Sequence, residues 1–441
     1  MPDISAIDAA TGQRYERALV LVRLHAQPLG LVEIQLGQEC LAAQDYARQI
    51  WHALQAEITA HLRQDRLPQP EALEACGLPA GTIPLCARER EAKLAVAPFV
   101  SVVVATHDRP ASLATCLRSL LSLNYPHYEI IVVDNAPGTD EAVAVVRQMR
   151  GGVADVRYLR EDRPGLACAH NRGLEDVRGE IVAFTDDDVM VDPQWLAELV
   201  SGFSVAEHVG CVAGLIFPME LQTPSQLWIE QFGGFSKGFT QRVFDLSAHR
   251  PSSLLYPYAA GIFGSGANMA FRTAALRHIG GFDPALGAGS MALGGDDLAA
   301  FFEVIAAGYT LVYQPAAIVH HPHRREYAGL RKQMYGYGVA LTAYLTKVLI
   351  DRPSRIPDLA ARIPHGLVYA LSSRSPKNAR KRPDYPRELT MLERKGMLYG
   401  PLAYLRGRRQ SRKAALKGGW SRAAALQPAQ PSALDGERAP L

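Results

Sequence analysis

Hydrophobic and polar positions fall into three textures along the chain. In the first, two apolar runs in ALVLVRLHAQPLGLVEIQL (18–36) flank the turn-prone Gln27-Pro28-Leu29-Gly30, a pattern that predicts a β-hairpin. Ile50, Leu54, Ile58 and Leu62 then recur at helical spacing and predict an amphipathic helix over 43–62. A Pro-rich stretch from Pro68 to Pro84 reads as a linker or loop.

From Phe99 the texture changes. FVSVVVA and EIIVVD are β-branched apolar runs of the kind found in buried parallel strands, and VRYLRE and EIVAFTDDD follow as further strands. Helical patterns over 110–123, 140–150 and 166–177 separate them. Four βα repeats in about 90 residues predict an open, doubly wound, mostly parallel α/β sheet. Beyond Gly210 short strands, Gly-rich loops and the aromatics Trp228, Phe232, Phe235, Tyr256 and Tyr258 alternate to about Val319, as in a mixed-sheet, acceptor-side half. From Tyr327 helical patterns dominate. The expected organisation is a small N-terminal α+β unit (1–95), a catalytic α/β domain (96–325), a helical basic region (326–425) and a disordered tail (426–441).

Charge and cysteine usage sharpen this picture. From Asp351 onward there are 19 Lys/Arg against 7 Asp/Glu, which leaves 28 basic and 37 acidic residues before it. A basic C-terminal region behind an acidic body fits peripheral contact with anionic lipid, or a solvated face. No recognised nucleic-acid module accompanies the charge, so nucleic acid is not an expected partner. The six cysteines form no C-x-x-C pair and fit reduced thiols in a cytoplasmic protein. The N-terminus lacks the apolar core of a secretory signal. The most apolar run, Tyr335–Ile350, is too short to span a bilayer and carries Lys347. Any membrane action is therefore expected at the surface, on its inner face.

In an open α/β sheet, ligands gather at the C-terminal strand ends. Those ends read Thr106-His107-Asp108-Arg109, Asp134-Asn135, Arg163 with Asn171, and Thr185-Asp186-Asp187-Asp188. Adjacent carboxylates repel, and a hard divalent cation such as Mg²⁺ or Mn²⁺ relieves them. Strand alternation puts Asp186 and Asp188 on one side as metal ligands, and leaves Asp187 for a ribose or sugar hydroxyl. Plain helix capping around Asp192 is the structural alternative.

PFVSVVVATHDRP, IIVVDNAP, the G-L-A-x-A-x-N-R-G-L pattern from Gly165 and VAFTDDDV together resemble the family 2 glycosyltransferases of GT-A fold, over about residues 98–325. The resemblance implies inverting transfer from a nucleoside-diphosphate sugar, most often a UDP-sugar, with Mg²⁺ or Mn²⁺. It implies donor contacts from Thr106, Asp108, Arg109, Asp134, Arg163, Asn171 and Asp187, with Asp134 on the base. It implies Asp297 as the general base, with Asp296 standing where the family has Glu. His107 departs from the usual Tyr or Asn. In AAIVHHPHRR, His321 and His323 correspond to a histidine that reaches the metal or diphosphate, and His321 is taken as the third metal ligand. Arg324 and Arg325 offer a phosphate clamp, and Gly264–Asn268 an acceptor loop. KQMYGYG from Lys332 lacks the Q-x-x-R-W motif of processive synthases, so non-processive addition of one sugar, or few, to a sugar or lipid-linked acceptor of the cell envelope is expected. A nucleotidyltransferase is the alternative, although ATHDRPAS lacks its Gly-rich triphosphate loop. A non-catalytic sugar-nucleotide binder is the other.

Overall fold

The computed structural model describes residues 2–9, 11–78, 81–151 and 154–417. The tail expected over 426–441 lies outside the described residues. The N-terminal unit comprises β1 (Ile4–Ser5), β2 (Arg17–Leu24), β3 (Gln27–Gln35), β4 (Cys40–Leu41), α1 (Ala43–Gln64) and α2 (Leu85–Leu94). β2 and β3 form the expected hairpin, but the turn is His25-Ala26, two residues ahead of the Pro-Gly signal. Both turn residues have positive φ, 52° and 73°. That geometry matches the right-handed strand twist, so Pro28 is drawn into β3 opposite Arg23. α1 lays Ile50, Leu54, Ile58 and Leu62 on Val32 and Ile34 in a core of its own. The unit is joined to the rest by Arg23 to Asp192 (2.6 Å) and Arg90 to Glu198 (2.9 Å).

The main sheet is built from β5 (Val100–Thr106), β6 (Tyr128–Asn135), β7 (Asp155–Glu161), β8 (Ile181–Asp186), β9 (Met190–Val191), β10 (Val209–Pro218), β11 (Arg242–Phe244), β12 (Met269–Arg272) and β13 (Thr310–His321). Its order is β11-β13-β10-β12-β8-β5-β6-β7, with β9 paired to β13. β5 to β8 are mutually parallel, as are β10 and β13. β12 runs antiparallel between the two halves, so β10 and β13 end on the same edge as β8. This is the α/β, mostly parallel sheet with a mixed second half that the sequence predicts. β5 and β6 are buried throughout, as their apolar central runs Val102–Ala105 and Ile130–Val133 require when helices cover both sheet faces.

The helices are α3 (Pro110–Leu120), α4 (Glu141–Met149), α5 (Leu166–Asp176), α6 (Trp195–Gly202), α7 (Pro224–Phe232), α8 (Thr273–His278), α9 (Asp296–Ala306), α10 (Tyr327–Asp351), α11 (Ile356–Leu371) and α12 (Arg387–Lys417). α10 sends Ala343, Tyr344 and Val348, and α12 sends Tyr404, into the apolar cluster around Phe301 and Phe302 of α9. The C-terminal helices therefore share the core of the sheet. α10 and α12 approach closely because glycines line their contact. A Cβ on Gly338 would run into the Glu393 carbonyl, and one on Gly396 into the Tyr335 carbonyl. Gly396→Val is expected to cost about 1–3 kcal/mol through forced separation of the helices. A fall in Tm or in the urea midpoint measures it, and an unchanged midpoint would contradict this packing.

Candidate active site

The C-terminal ends of β5, β6, β8 and β13 bring the acids and His321 to one edge. Asp186, Asp188 and His321 offer ligand atoms that all lie within 4.8 Å of one another. His321 Nε2 is 3.7 Å from Asp188 Oδ1. Asp188 Oδ1 and His321 Nδ1 are buried and have no hydrogen-bond partner. Burial, then Asp188 and Asp187, push the Asp186 carboxyl up to about 8. Burial lowers the His321 pKa despite Asp188 beside it, which favours the neutral imidazole that can ligate. Two carboxylates, one imidazole and an orphaned carboxylate oxygen fit a divalent cation of the Mg²⁺ or Mn²⁺ class.

β8 ends at Asp186, so Asp187 and Asp188 lie in the turn after it, and Asp187 turns toward β5. Thr106 Oγ1 donates to its Oδ2 at 2.7 Å, and Arg109 donates to its Oδ1 at 3.2 Å. The same Arg109 nitrogen reaches Asp188 Oδ2 at 3.2 Å, so one guanidinium offsets part of the acidic cluster. Thr106 and Asp187 are both buried, and the hydrogen bond between them ties the end of β5 to the turn after β8.

The remaining donor candidates divide in the same way. Asp108, at φ 50°, accepts from Gly138 N (3.0 Å) and fixes the loop after β6. Asn171 donates to Phe282 O and accepts from Phe282 N, at 2.8 and 2.9 Å, and clamps the chain that leads into the 287–295 loop. Arg163 pairs with Glu161. His107 Nδ1 lies 2.7 Å from Asn135 O. Asp134 differs: Tyr158 donates to Oδ2 at 2.9 Å, while Oδ1 is buried without a partner. Burial raises the Asp134 pKa.

Across the edge, α9 begins with Asp296 and Asp297. Plain helix capping does not explain them, since the cap residue is Gly295 at φ 88°, in the left-handed region that glycine favours. Asp297 Oδ2 accepts from Gly266 N (2.9 Å) and Oδ1 from Leu298 N (2.8 Å), which ties the base candidate to the Gly264–Asn268 loop. Burial, then Asp296, raise Asp297 to about 6. Asp296 is buried, 3.6 Å from His170 Nδ1. Asn268 itself is a core residue that accepts from Trp195 Nε1 at 2.9 Å.

Of the other histidines, His323 Nε2 meets Glu230 Oε1 at 2.7 Å and His320 lies against Phe217. Arg325 pairs with Glu220. Phe235 packs on both His321 and His323, and Phe232 stacks on Tyr337. Sequence reading passed over Lys237, Glu230 and Tyr337. Burial, then Arg380, push Lys237 down to about 8, against the opposing pull of Asp297 and Glu230. Its one sequence signal is a lone cation inside the Gly- and Phe-rich FGGFSKGF.

Residues 101–279 match the family model described as Glycosyl transferase family 2. That segment is a family 2 glycosyltransferase domain. Glycosyltransferase AglE of Haloferax volcanii is 36% identical over 110 residues, 24% of this chain and 36% of that protein. The glucosyl-dolichyl phosphate glucuronosyltransferase of the same organism is 25% identical over 191 residues, 42% of this chain and 56% of that protein. Across these and two further curated relatives, the match spans 10% to 56% of the relative's length. Among solved structures, a mannosyltransferase from Pyrobaculum calidifontis in complex with GDP-Man and Mn²⁺ is 21% identical, with 75% of this chain and 78% of that chain covered and a TM-score of 0.41. The glycosyltransferase segment runs from β5 to α8, so it holds Asp186 and Asp188. Asp297 and His321 come from the chain that follows it.

Proposed function

We propose that the protein is a non-processive, inverting glycosyltransferase that moves one sugar from a nucleoside-diphosphate sugar to an acceptor hydroxyl. One observation carries the proposal: a cation-ready trio, Asp186, Asp188 and His321, stands at the same sheet edge as a half-buried, raised-pKa carboxylate, Asp297. A divalent cation held by the trio would offset charge on a diphosphate leaving group. Asp134 Oδ1 has the free lone pairs to accept an N–H from a nucleobase, which favours an imide base such as uracil. Asp297, fixed by two backbone N–H groups, takes the proton of the attacking hydroxyl. Asp296 adds the negative field that keeps Asp297 basic, and Lys237 faces it as a cation whose charge burial makes costly.

The acceptor is proposed to be lipid-linked and approached at a membrane surface. α11 buries none of its residues, and Ile363, Leu367 and Val368 are each more than half exposed. Met391 and Leu398 of α12 are 64% and 85% exposed beside Arg394 and Lys395. A groove between the end of α10 and α12 is lined by Ile350, Leu405, Arg408, Arg409 and Arg412. An apolar helix face next to arginines is the chemistry of an interfacial helix on anionic lipid. Among the described residues no helix is long and apolar enough to cross a membrane. The name of the glucuronosyltransferase relative, with its dolichyl phosphate, is in keeping with such an acceptor.

The test is a panel of nucleoside-diphosphate sugars, incubated with the protein and Mn²⁺ and assayed for released nucleotide. One donor is expected to be hydrolysed in an ion-dependent manner, and ion-independent release from every donor would contradict the reading. Val368→Glu with Leu367→Glu is expected to abolish flotation with anionic vesicles while leaving that hydrolysis intact. Flotation equal to the wild type would refute the membrane contact.

A further inference from the structure

The N-terminal unit holds a second set of ligating side chains, outside the glycosyltransferase segment. His25 comes from the β2–β3 turn, His61 and Asp65 from one face at the end of α1, and Cys86 from the start of α2. Their ligand atoms all lie within 4.8 Å of one another. Asp65 Oδ2 is the hub: His25 Nδ1 is 2.7 Å away, Cys86 Sγ 3.1 Å and His61 Nε2 3.2 Å. The two histidine nitrogens face each other at 3.1 Å. Asp65 and His61 are buried, and His25 and Cys86 are partly so. We infer that His25, His61, Asp65 and Cys86 form a structural Zn²⁺ site.

The donor set itself argues for zinc. Two imidazoles, one thiolate and one carboxylate make a closed four-ligand shell of borderline-soft character, which oxygen-seeking Mg²⁺ or Ca²⁺ does not favour. Bond lengths of about 2.0–2.3 Å to N, O and S imply tetrahedral edges of about 3.3–3.6 Å. The present separations of 2.7 to 3.2 Å around Asp65 need only a small opening to admit the ion. Two nitrogens in contact with each other and with one carboxylate oxygen are otherwise satisfied only by a particular pair of tautomers.

The fold around the cluster supplies an independent argument. α2 buries no side chain fully, and its apolar packing comes from Leu94 at the end away from the cluster. Its other attachments are polar: Cys86 N donates to Asp65 Oδ1 (2.9 Å), and Arg90 reaches both His25 O (3.0 Å) and Glu198 (2.9 Å). The Pro-rich 67–84 segment that precedes α2 adds mostly partly buried positions to the core. His25 sits at a left-handed turn position where Asn or Gly is the usual residue. Ligation ties the hairpin turn, the end of α1 and the start of α2 at a single point, beside the contacts to Asp192 and Glu198. The Cys86 thiol loses its proton as the bond to the ion forms.

The test uses the full chain, stripped with a chelator and reloaded with Co²⁺. The visible bands of tetrahedral Co²⁺ and a sulfur-to-cobalt charge-transfer band are expected, both abolished by Zn²⁺. Cys86→Ser is expected to lose the charge-transfer band, and His61→Ala to lose both signals. His25→Ala lies in a hairpin turn and serves if His61→Ala does not fold. Asp188→Ala is expected to keep both signals, which separates this site from the one at the sheet edge. The absence of a charge-transfer band in the wild type, its persistence in Cys86→Ser, or its loss in Asp188→Ala would overturn the assignment.

Discussion

Asp297→Asn is expected to lower the rate of sugar transfer by about 10²- to 10⁴-fold, the usual contribution of a positioned general base. Donor binding in the presence of Mn²⁺ should stay near the wild-type value, because Asp297 is tied to the Gly264–Asn268 loop through Gly266 and is not one of the proposed cation ligands. The pH profile supplies a second reading. A base works only when deprotonated, and burial with Asp296 raises Asp297 to about 6. kcat/KM of the wild type is therefore expected to climb about tenfold per unit below pH 6 and to level off above it. Asp297→Asn should remove that limb. Initial rates against pH measure both effects, and a normal rate in Asp297→Asn would show that another group takes the proton.

Asp188→Ala is expected to abolish ion-dependent turnover, because it removes the carboxylate that meets His321 and carries the orphaned oxygen. Its neighbour gives the corresponding stability signature. The folded-state pKa of Asp186 is raised to about 8, whereas an unfolded carboxyl titrates near 4. A raised acid binds its proton more tightly when folded, so its contribution is present below pH 4 and is lost as pH rises toward 8. Compared with Asp186→Asn, the ion-free wild type should lose Tm across that window, and Mn²⁺ should restore it. Differential scanning at pH 5 and pH 8, with and without the ion, checks the sign. A wild type that gains Tm relative to Asp186→Asn over this range would contradict the electrostatics.

Much of the sheet was legible because its strands are unusually uniform. Val100–Thr106 and Tyr128–Asn135 are buried at every position, and continuous apolar β-branched runs permit few other structures. Asp186 and Asp188 do lie together beside His321, but β8 ends at Asp186 and a turn, not strand alternation, brings Asp188 there. What escaped was tertiary. Lys237 comes under the influence of both Glu230 of α7 and Asp297 of α9 through the tertiary fold, and no spacing in the sequence encodes that approach. Thr106 and Asp187 read as two separate donor contacts, yet β5 and β8 are parallel neighbours whose ends hold the two side chains together. The hairpin turn was misplaced because Pro and Gly are strong turn signals. A two-residue turn of left-handed conformers fits strand twist better and can use His and Ala. The exposed apolar face of α11 was overlooked for a related reason, since amphipathic spacing does not say whether the apolar side meets a core.

The central claim is that a cation held by Asp186, Asp188 and His321 recruits the donor through its diphosphate. Calorimetric titration of UDP into the ion-free protein, and into protein supplied with Mn²⁺, addresses it directly, with GDP and CDP as alternatives should the base differ. The account predicts that the preferred nucleotide binds at least about tenfold more tightly with Mn²⁺, a gain of about 1.4 kcal/mol or more, and that Asp188→Ala erases the difference. Equal affinity with and without the ion, in a protein that still transfers sugar, would contradict it.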